Sequence, residues 1–198
     1  MSKAVAVYYS LGSPWTYLGW QRFRALVAKT GASADYRPAR MAEVFKVSGG
    51  LPLGERPRQR QAYRMMELRR WREHLGIPLH LEPRFFPVDD RQAAHMVIAL
   101  GRRGGDMAAL SEALMRAVWA EQRNIADPAT LVAIADEQGL KGEDLLAAAG
   151  DPAVAAAYQA NTEAAIAAGV FGAPTFVIGE ELFWGQDRLD FVARALEA

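Results

Sequence analysis

The apolar positions divide the chain into two short strand-bearing stretches around one long helical stretch. Residues 4–9, AVAVYY, form an apolar run of strand length without polar alternation, the pattern of a strand covered on both faces at the centre of a sheet. Beyond the turn Gly12-Ser13-Pro14, the residues Tyr17, Leu18, Phe23, Leu26 and Val27 recur at helical spacing as far as Gly31. Pro14 stands where a first helical turn tolerates it. The segment SADYRPA, 33–39, predicts a second strand and so completes a β-α-β unit.

From residue 41 to about 168 the spacing is almost entirely helical. Asp127-Pro128 and Asp151-Pro152 supply boundaries there, each an N-cap followed by a proline at the first helical position. The alanine bias of LLAAAGDPAVAAAYQANTEAAIAAG follows from helix propensity and close helix packing. The chain changes character at GVFGAPTFVIGEELFWG, where PTFVI and ELFW predict two strands joined by a tight GEE turn. DRLDFVARALEA predicts a terminal helix capped by Asp187. The expected fold is α/β: residues 1–40 with 169–198 build one unit, β-α-β and β-β-α, and 41–168 form a large all-helical insertion.

At 198 residues the chain can bury most of its apolar surface in one core. Its 23 basic and 23 acidic residues cancel, so no overall field would hold it on a phosphate backbone or an anionic membrane, and nucleic acid is not an expected partner. No apolar run approaches the ~20 residues that span a bilayer. MSKAVAVYYS puts only a short strand-like run behind its lysine, and a cytoplasmic protein is expected. The one charge run, ERPRQRQAYRMMELRRWREH, reads mainly as a solvated helix face.

Cysteine is absent, which removes disulfides, thiolate metal sites and a cysteine nucleophile together; any sulfur chemistry needs a borrowed thiol. His74, His80 and His95 lack ligand-like spacing, so no metal is expected. No nucleophile elbow, P-loop or dinucleotide fingerprint occurs either.

Two places carry candidate chemistry, each with a plainer reading beside it. Ser13 is a sufficient N-cap, and it is also a hydroxyl at a helix N-terminus, delivered there by a strand, where it could do chemistry. In FWGQDR, 183–188, Asp187 is a sufficient cap, and the free N–H groups of a helix start suit a carboxylate. The Ala173-Pro174 bond at a strand start is open to either isomer.

The order β-α-β then β-β-α, with SPWT at 13–16 and GAPT at 172–175, resembles the thioredoxin fold. That resemblance makes Ala173-Pro174 the cis bond facing the N-terminus of the first helix, and places SPWT where disulfide oxidoreductases carry Cys-Pro-X-Cys. More narrowly, SPWTYLG, EVFKVSGG, EPRFFP and GVFGAPTFVIGEELFWGQDRLDFV together resemble the family of 2-hydroxychromene-2-carboxylate isomerases. That family is related to the kappa-class glutathione transferases and to the DsbA-like branch of thioredoxin folds.

The resemblance implies glutathione as cofactor, supplying the sulfur that the chain lacks. It makes Ser13 the residue that activates the thiol, and Ala173, before Pro174, the backbone partner of the cysteinyl unit. Trp184, Gly185, Gln186 and Asp187 carry over as the stretch that holds the γ-glutamyl end. Arg60, three positions before Tyr63, matches a basic residue of the relatives and suits a glutathione carboxylate, while Asp187 suits the ammonium group.

For a small aromatic carboxylate substrate, Lys46 of the FK stretch would pair with the carboxylate, and Phe86 and Trp15 would offer flat walls. Gly49-Gly50 departs from the asparagine that relatives carry there, and that lost amide bears on substrate identity. The implied reaction interconverts 2-hydroxychromene-2-carboxylate and trans-o-hydroxybenzylidenepyruvate in aromatic catabolism, by reversible thiolate addition and bond rotation, in a homodimer. The alternatives are a kappa-like transferase or peroxidase using the same Ser13, and a non-catalytic glutathione-binding protein.

Overall fold

The computed structural model describes residues 3–197, so the outermost positions of the expected first unit, 1, 2 and 198, lie outside the described residues. Strand β1, Ala4–Tyr9, leads into helix α1, Pro14–Thr30, and strand β2, Ser33–Pro38. Helices α2, Met41–Ser48, and α3, Arg58–Leu75, follow, with a 3-10 turn at Leu53–Glu55 between them. The helical stretch continues through α4, Arg91–Arg102, α5, Met107–Trp119, α6, Pro128–Glu137, α7, Gly142–Ala148, and α8, Pro152–Ala167. Strands β3, Thr175–Ile178, and β4, Glu181–Trp184, a 3-10 turn at Gln186–Arg188 and α9, Leu189–Glu197, close the chain.

The sheet runs in the order β2-β1-β3-β4, which puts the apolar run β1 inside it. β2 is parallel to β1, β3 antiparallel to β1, and Val7 stands between Tyr36 and Phe176. β1 needs no polar alternation because both faces are covered. Val5, Val7 and Tyr9 enter the large core, whereas Tyr8 on the opposite face packs with Ala39, Val44, Ala165 and Val170. β3 and β4 join through the two-residue turn Gly179-Glu180, where Gly179 takes φ 59°, as a tight hairpin requires.

Helix α1 is set by its ends. Ser13 caps it, Pro14 begins it, and Gly31 at φ 65° ends it in the left-handed conformation. Its inner face carries Trp20 and Phe23 onto the sheet, with ring centroids 4.7 Å from Tyr9 and 4.8 Å from Phe176. The same face reaches the helical stretch, since Trp20 Nε1 donates to the Ala108 carbonyl at 2.9 Å. Tyr9 and Ser111 share a buried hydroxyl–hydroxyl bond of 2.8 Å. One buried apolar cluster therefore runs from the sheet through α1 into α4 and α5. The caps expected at Asp127 and Asp151 form, accepting from the Thr130 and Ala153 N–H groups at 2.8 Å each.

The end of the chain departs from expectation. Asp187 does not cap the terminal helix: it lies inside the 3-10 turn, which has no side-chain cap, and α9 begins two residues later. Its carboxylate sits 3.3 Å from the neighbouring Arg188 guanidinium instead. Among the described residues two peptide bonds are cis, Ala173-Pro174 and also Phe86-Pro87. No helix among the described residues is long and apolar enough to cross a membrane.

Candidate functional site

The turn between β1 and α1 presents Ser13 at a helix start. Ser13 takes an extended conformation, φ −82° and ψ 121°, so its Oγ can turn back to accept the Thr16 N–H at 3.2 Å. The same hydroxyl points at the cis-proline loop and donates to the Ala173 carbonyl at 3.4 Å, a long bond. The buried Thr16 Oγ1 has no partner among the described residues, and the Trp15 N–H, at the second helical position, has no acceptor within the helix. A capping hydroxyl weakly held by one carbonyl, beside a free N–H and the positive end of a helix, is a donor set for an anion.

The turn is fastened from below by a residue that sequence reasoning missed. Asp90, just before α4, accepts from the Ser10 hydroxyl at 2.6 Å and from the Gly12 N–H at 3.0 Å. Burial raises its pKa, against the lowering effect of those hydrogen bonds. Asp90 occupies the N-cap position of α4, yet it makes no side-chain cap bond. Its partners lie some eighty residues away, so no local signal marks them.

Across from Ser13, the loop before β3 is shaped by Trp184. Its indole lies over Gly172, where a Cβ would come within 2.4 Å of Nε1, and its ring centroid is 4.8 Å from that of Phe171. Both rings are about half exposed, Phe171 at 43% and Trp184 at 50%. Gly185, at φ 103°, donates its N–H to the Pro174 carbonyl at 2.9 Å and so ties the end of β4 to the cis bond. Ser13, Ala173, Pro174, Trp184 and Gly185 thus lie at one end of β1, β3 and β4.

The other expected residues are placed differently. Gln186 is 2% exposed and packs against α1 at Gly19, and its side-chain oxygen accepts from Arg22. That amide braces α1 against the 3-10 turn. Asp187 is exposed beside it. Trp15 is partly buried against the core. Lys46 is exposed in the last turn of α2, Gly49 caps that helix at φ 75°, and Gly50 packs on Phe45. Arg60 is exposed on α3. These four make no contact with Ser13 in the hydrogen-bond network of the described residues. Phe86 stacks near Trp119 at 4.8 Å and under Arg64 at 5.3 Å. Two residues beyond it, Val88 meets Gly12: a Cβ there would lie 3.8 Å from its Cγ1.

Comparison with known proteins matches this geometry to a family. The model of the DSBA-like thioredoxin domain matches residues 4–197. A 2-hydroxychromene-2-carboxylate isomerase of Sphingobium xenophagum is 30% identical over 194 residues, covering 97% of each chain. The kappa 1 glutathione S-transferase of Homo sapiens is 27% identical, over 99% of this chain and 92% of its own. A solved structure of a 2-hydroxychromene-2-carboxylate isomerase superimposes with a TM-score of 0.80 at 28% identity, covering 98% of this chain and 94% of that one. With its four-stranded mixed sheet, its helical insertion and a serine at the start of α1, the chain belongs to the 2-hydroxychromene-2-carboxylate isomerase family of DSBA-like thioredoxin-fold proteins.

Proposed function

We propose that the protein is a glutathione-dependent isomerase of 2-hydroxychromene-2-carboxylate or a closely similar aromatic carboxylate. The observation that carries this reading is the position of Ser13, a hydroxyl at the N-terminus of α1 directed at the residue before a cis proline, in a chain without cysteine. Bound glutathione would supply the thiolate whose reversible addition to a conjugated substrate turns a double bond into a rotatable single bond.

The residues present suit that group. The Ser13 hydroxyl can leave its long bond to the Ala173 carbonyl and donate to a thiolate, and the free Trp15 N–H adds to the helix-end potential that lowers a thiol pKa. The backbone of Ala173, next to Ser13, would pair with the cysteinyl unit. Trp184 and Gly185 line the adjoining edge, Asp187 is exposed to meet an ammonium group, and Arg60 is exposed for a carboxylate. Gln186 contributes by holding the 3-10 turn through Arg22. A cysteine-free chain that depends on reduced glutathione suits a reducing compartment, the cytoplasm.

The test is a pH titration of glutathione bound to wild type and to Ser13→Ala, followed by thiolate ultraviolet absorbance, with turnover of 2-hydroxychromene-2-carboxylate measured alongside. A lowered thiol pKa that the variant loses, with glutathione regenerated in each turnover, supports the isomerase. The kappa transferase relative at 27% identity favours one second reading, a transferase, in which glutathione is consumed one for one. Glutathione that fails to bind, or binds with its solution pKa, removes both.

A further inference from the structure

Arg64 is a partly buried cation without an anion beside it among the described residues. Its Nη2 is shielded from solvent and has no hydrogen-bond acceptor among the described residues. Its Nη1 meets only the Met65 sulfur, at 3.7 Å, and the guanidinium carbon stands 5.3 Å from the centroid of the Phe86 ring. Other arginines of the chain are paired: Arg24 with Glu112, Arg37 with Asp35, Arg116 with Glu121, Arg123 with Glu137. Around Arg64 the pattern is reversed. The charged group that acts on it most is another guanidinium, Arg56, which in turn faces Arg60.

Burial first, and then Arg56, push the Arg64 pKa down to about 10. A guanidinium shielded in this way gives up hydration and regains only the Phe86 ring and the weak Met65 contact, neither of which carries negative charge. An anion arriving at this place recovers that loss, so the site is electrostatically prepared for one.

The location gives the anion a use. Arg64 stands over Phe86, and the segment that starts at Phe86 runs through Val88 to the turn that carries Ser13. Arg56 is held beside it, its Nε donating to the Leu51 carbonyl at 2.8 Å and leaving its two terminal nitrogens for another acceptor. Besides Arg56, the surroundings of Arg64 are the apolar Phe86 and Met65, and the flat ring of Phe86 suits an anion carried on a flat apolar body.

We propose that Arg64, together with Arg56, receives the carboxylate of the organic substrate, with the apolar body of that substrate beside Phe86. The existence of a second, organic substrate rests on the isomerase reading given above. Arg64 takes the role for which the sequence offered Lys46: a shielded fork without a partner binds a carboxylate more selectively than an exposed ammonium. The run of arginines on α3 is therefore not only a solvated face.

Isothermal titration with 2-naphthoate and its neutral counterpart 2-naphthamide tests the proposal, on wild type, Arg64→Met and Arg64→Lys, with glutathione titrated in parallel. Wild type should bind the carboxylate at least about tenfold more tightly than the amide, the preference given by one charge-assisted contact of about 1.4 kcal/mol. Arg64→Met should bind the two alike, Arg64→Lys should recover part of the preference, and glutathione affinity should be the same in all three. Should Arg64→Met not fold, Arg64→Gln is read by the same criteria.

The proposal is overturned by a wild type that binds naphthoate no better than the amide, or not at all at millimolar concentration. It is equally overturned by a preference that survives in Arg64→Met, or by a loss that falls on glutathione, which would make this a glutathione carboxylate site. A wild type that does not bind glutathione defeats the isomerase reading alone, because the naphthoate pair still decides the role of Arg64.

Discussion

Ser10 and Asp90, eighty residues apart, share a 2.6 Å hydrogen bond beneath the turn that delivers Ser13. The bond joins the end of β1 to the start of α4, and the Gly12 N–H adds a second bond to the same carboxylate oxygen at 3.0 Å. A carboxyl in this position fixes the turn and, when ionised, places negative charge near a helix end suited to an anion.

Asp90 should therefore give the folded protein a distinctive pH dependence. Burial raises its pKa, so between the ordinary carboxylate value, about 4, and the raised folded value, the folded state holds more protons than the unfolded. Stability then falls as pH rises through that window. Urea midpoints measured across it should decline in wild type and decline less in Asp90→Asn, which keeps an acceptor for Ser10 and Gly12 but cannot ionise. Parallel pH slopes in the two proteins would assign the decline to other groups.

The cap and the proposed activation at Ser13 can be separated. Ser13→Ala removes both and should cost about 1 kcal/mol of stability. Ser13→Asp keeps a good cap and should fold nearly as stably as wild type, yet its negative charge opposes a thiolate, so bound glutathione should show no lowered thiol pKa. Denaturation midpoints and thiol titration on the two variants read the two roles independently. A lowered thiol pKa in Ser13→Asp would contradict a donor role for the hydroxyl.

Gly19 should resist a change that is ordinarily favourable. Glycine to alanine within a helix usually stabilises by about 0.5–1 kcal/mol. Here a Cβ would meet the Gln186 Cβ at 2.6 Å and its Cα at 3.4 Å, pushing the 3-10 turn away from α1. Gly19→Ala is expected to destabilise by about 1–3 kcal/mol and to loosen the Arg22–Gln186 clasp. A variant as stable as wild type in thermal unfolding would mean that the turn moves at little cost.

Arg64→Met should not weaken the fold despite its partly buried position. It removes a charge that has no counter-ion, which favours the variant by about 1 kcal/mol or more, against about 0.5–1 kcal/mol of lost contact with Phe86. The melting temperature should equal or exceed that of wild type. A loss above about 2 kcal/mol would mean that Arg64 contributes packing that outweighs its desolvation.

Periodicity, caps and turn residues are local, and the sequence determined whatever depends on them. β1 and β2, α1 from Pro14 to Gly31, the helical stretch with its caps at Asp127 and Asp151, and the hairpin at Gly179 were all legible. So was Ser13 as a residue of double meaning, because a hydroxyl before Pro14 marks a helix start whatever lies opposite. Asp187 shows the limit even locally: a 3-10 turn intervened where a cap was expected, since the packing of Gln186 under α1 decided where α9 could begin. Only the tertiary structure set Asp90 beneath Ser10, aimed the Ser13 hydroxyl at Ala173, and laid Arg64 over Phe86 with no anion beside it among the described residues. These relationships join residues 22 to 160 positions apart, across elements whose own sequences are satisfied without them. Hydrogen bonding and desolvation act through distances in space, and the chain's local pattern carries no record of which distant groups they bring together.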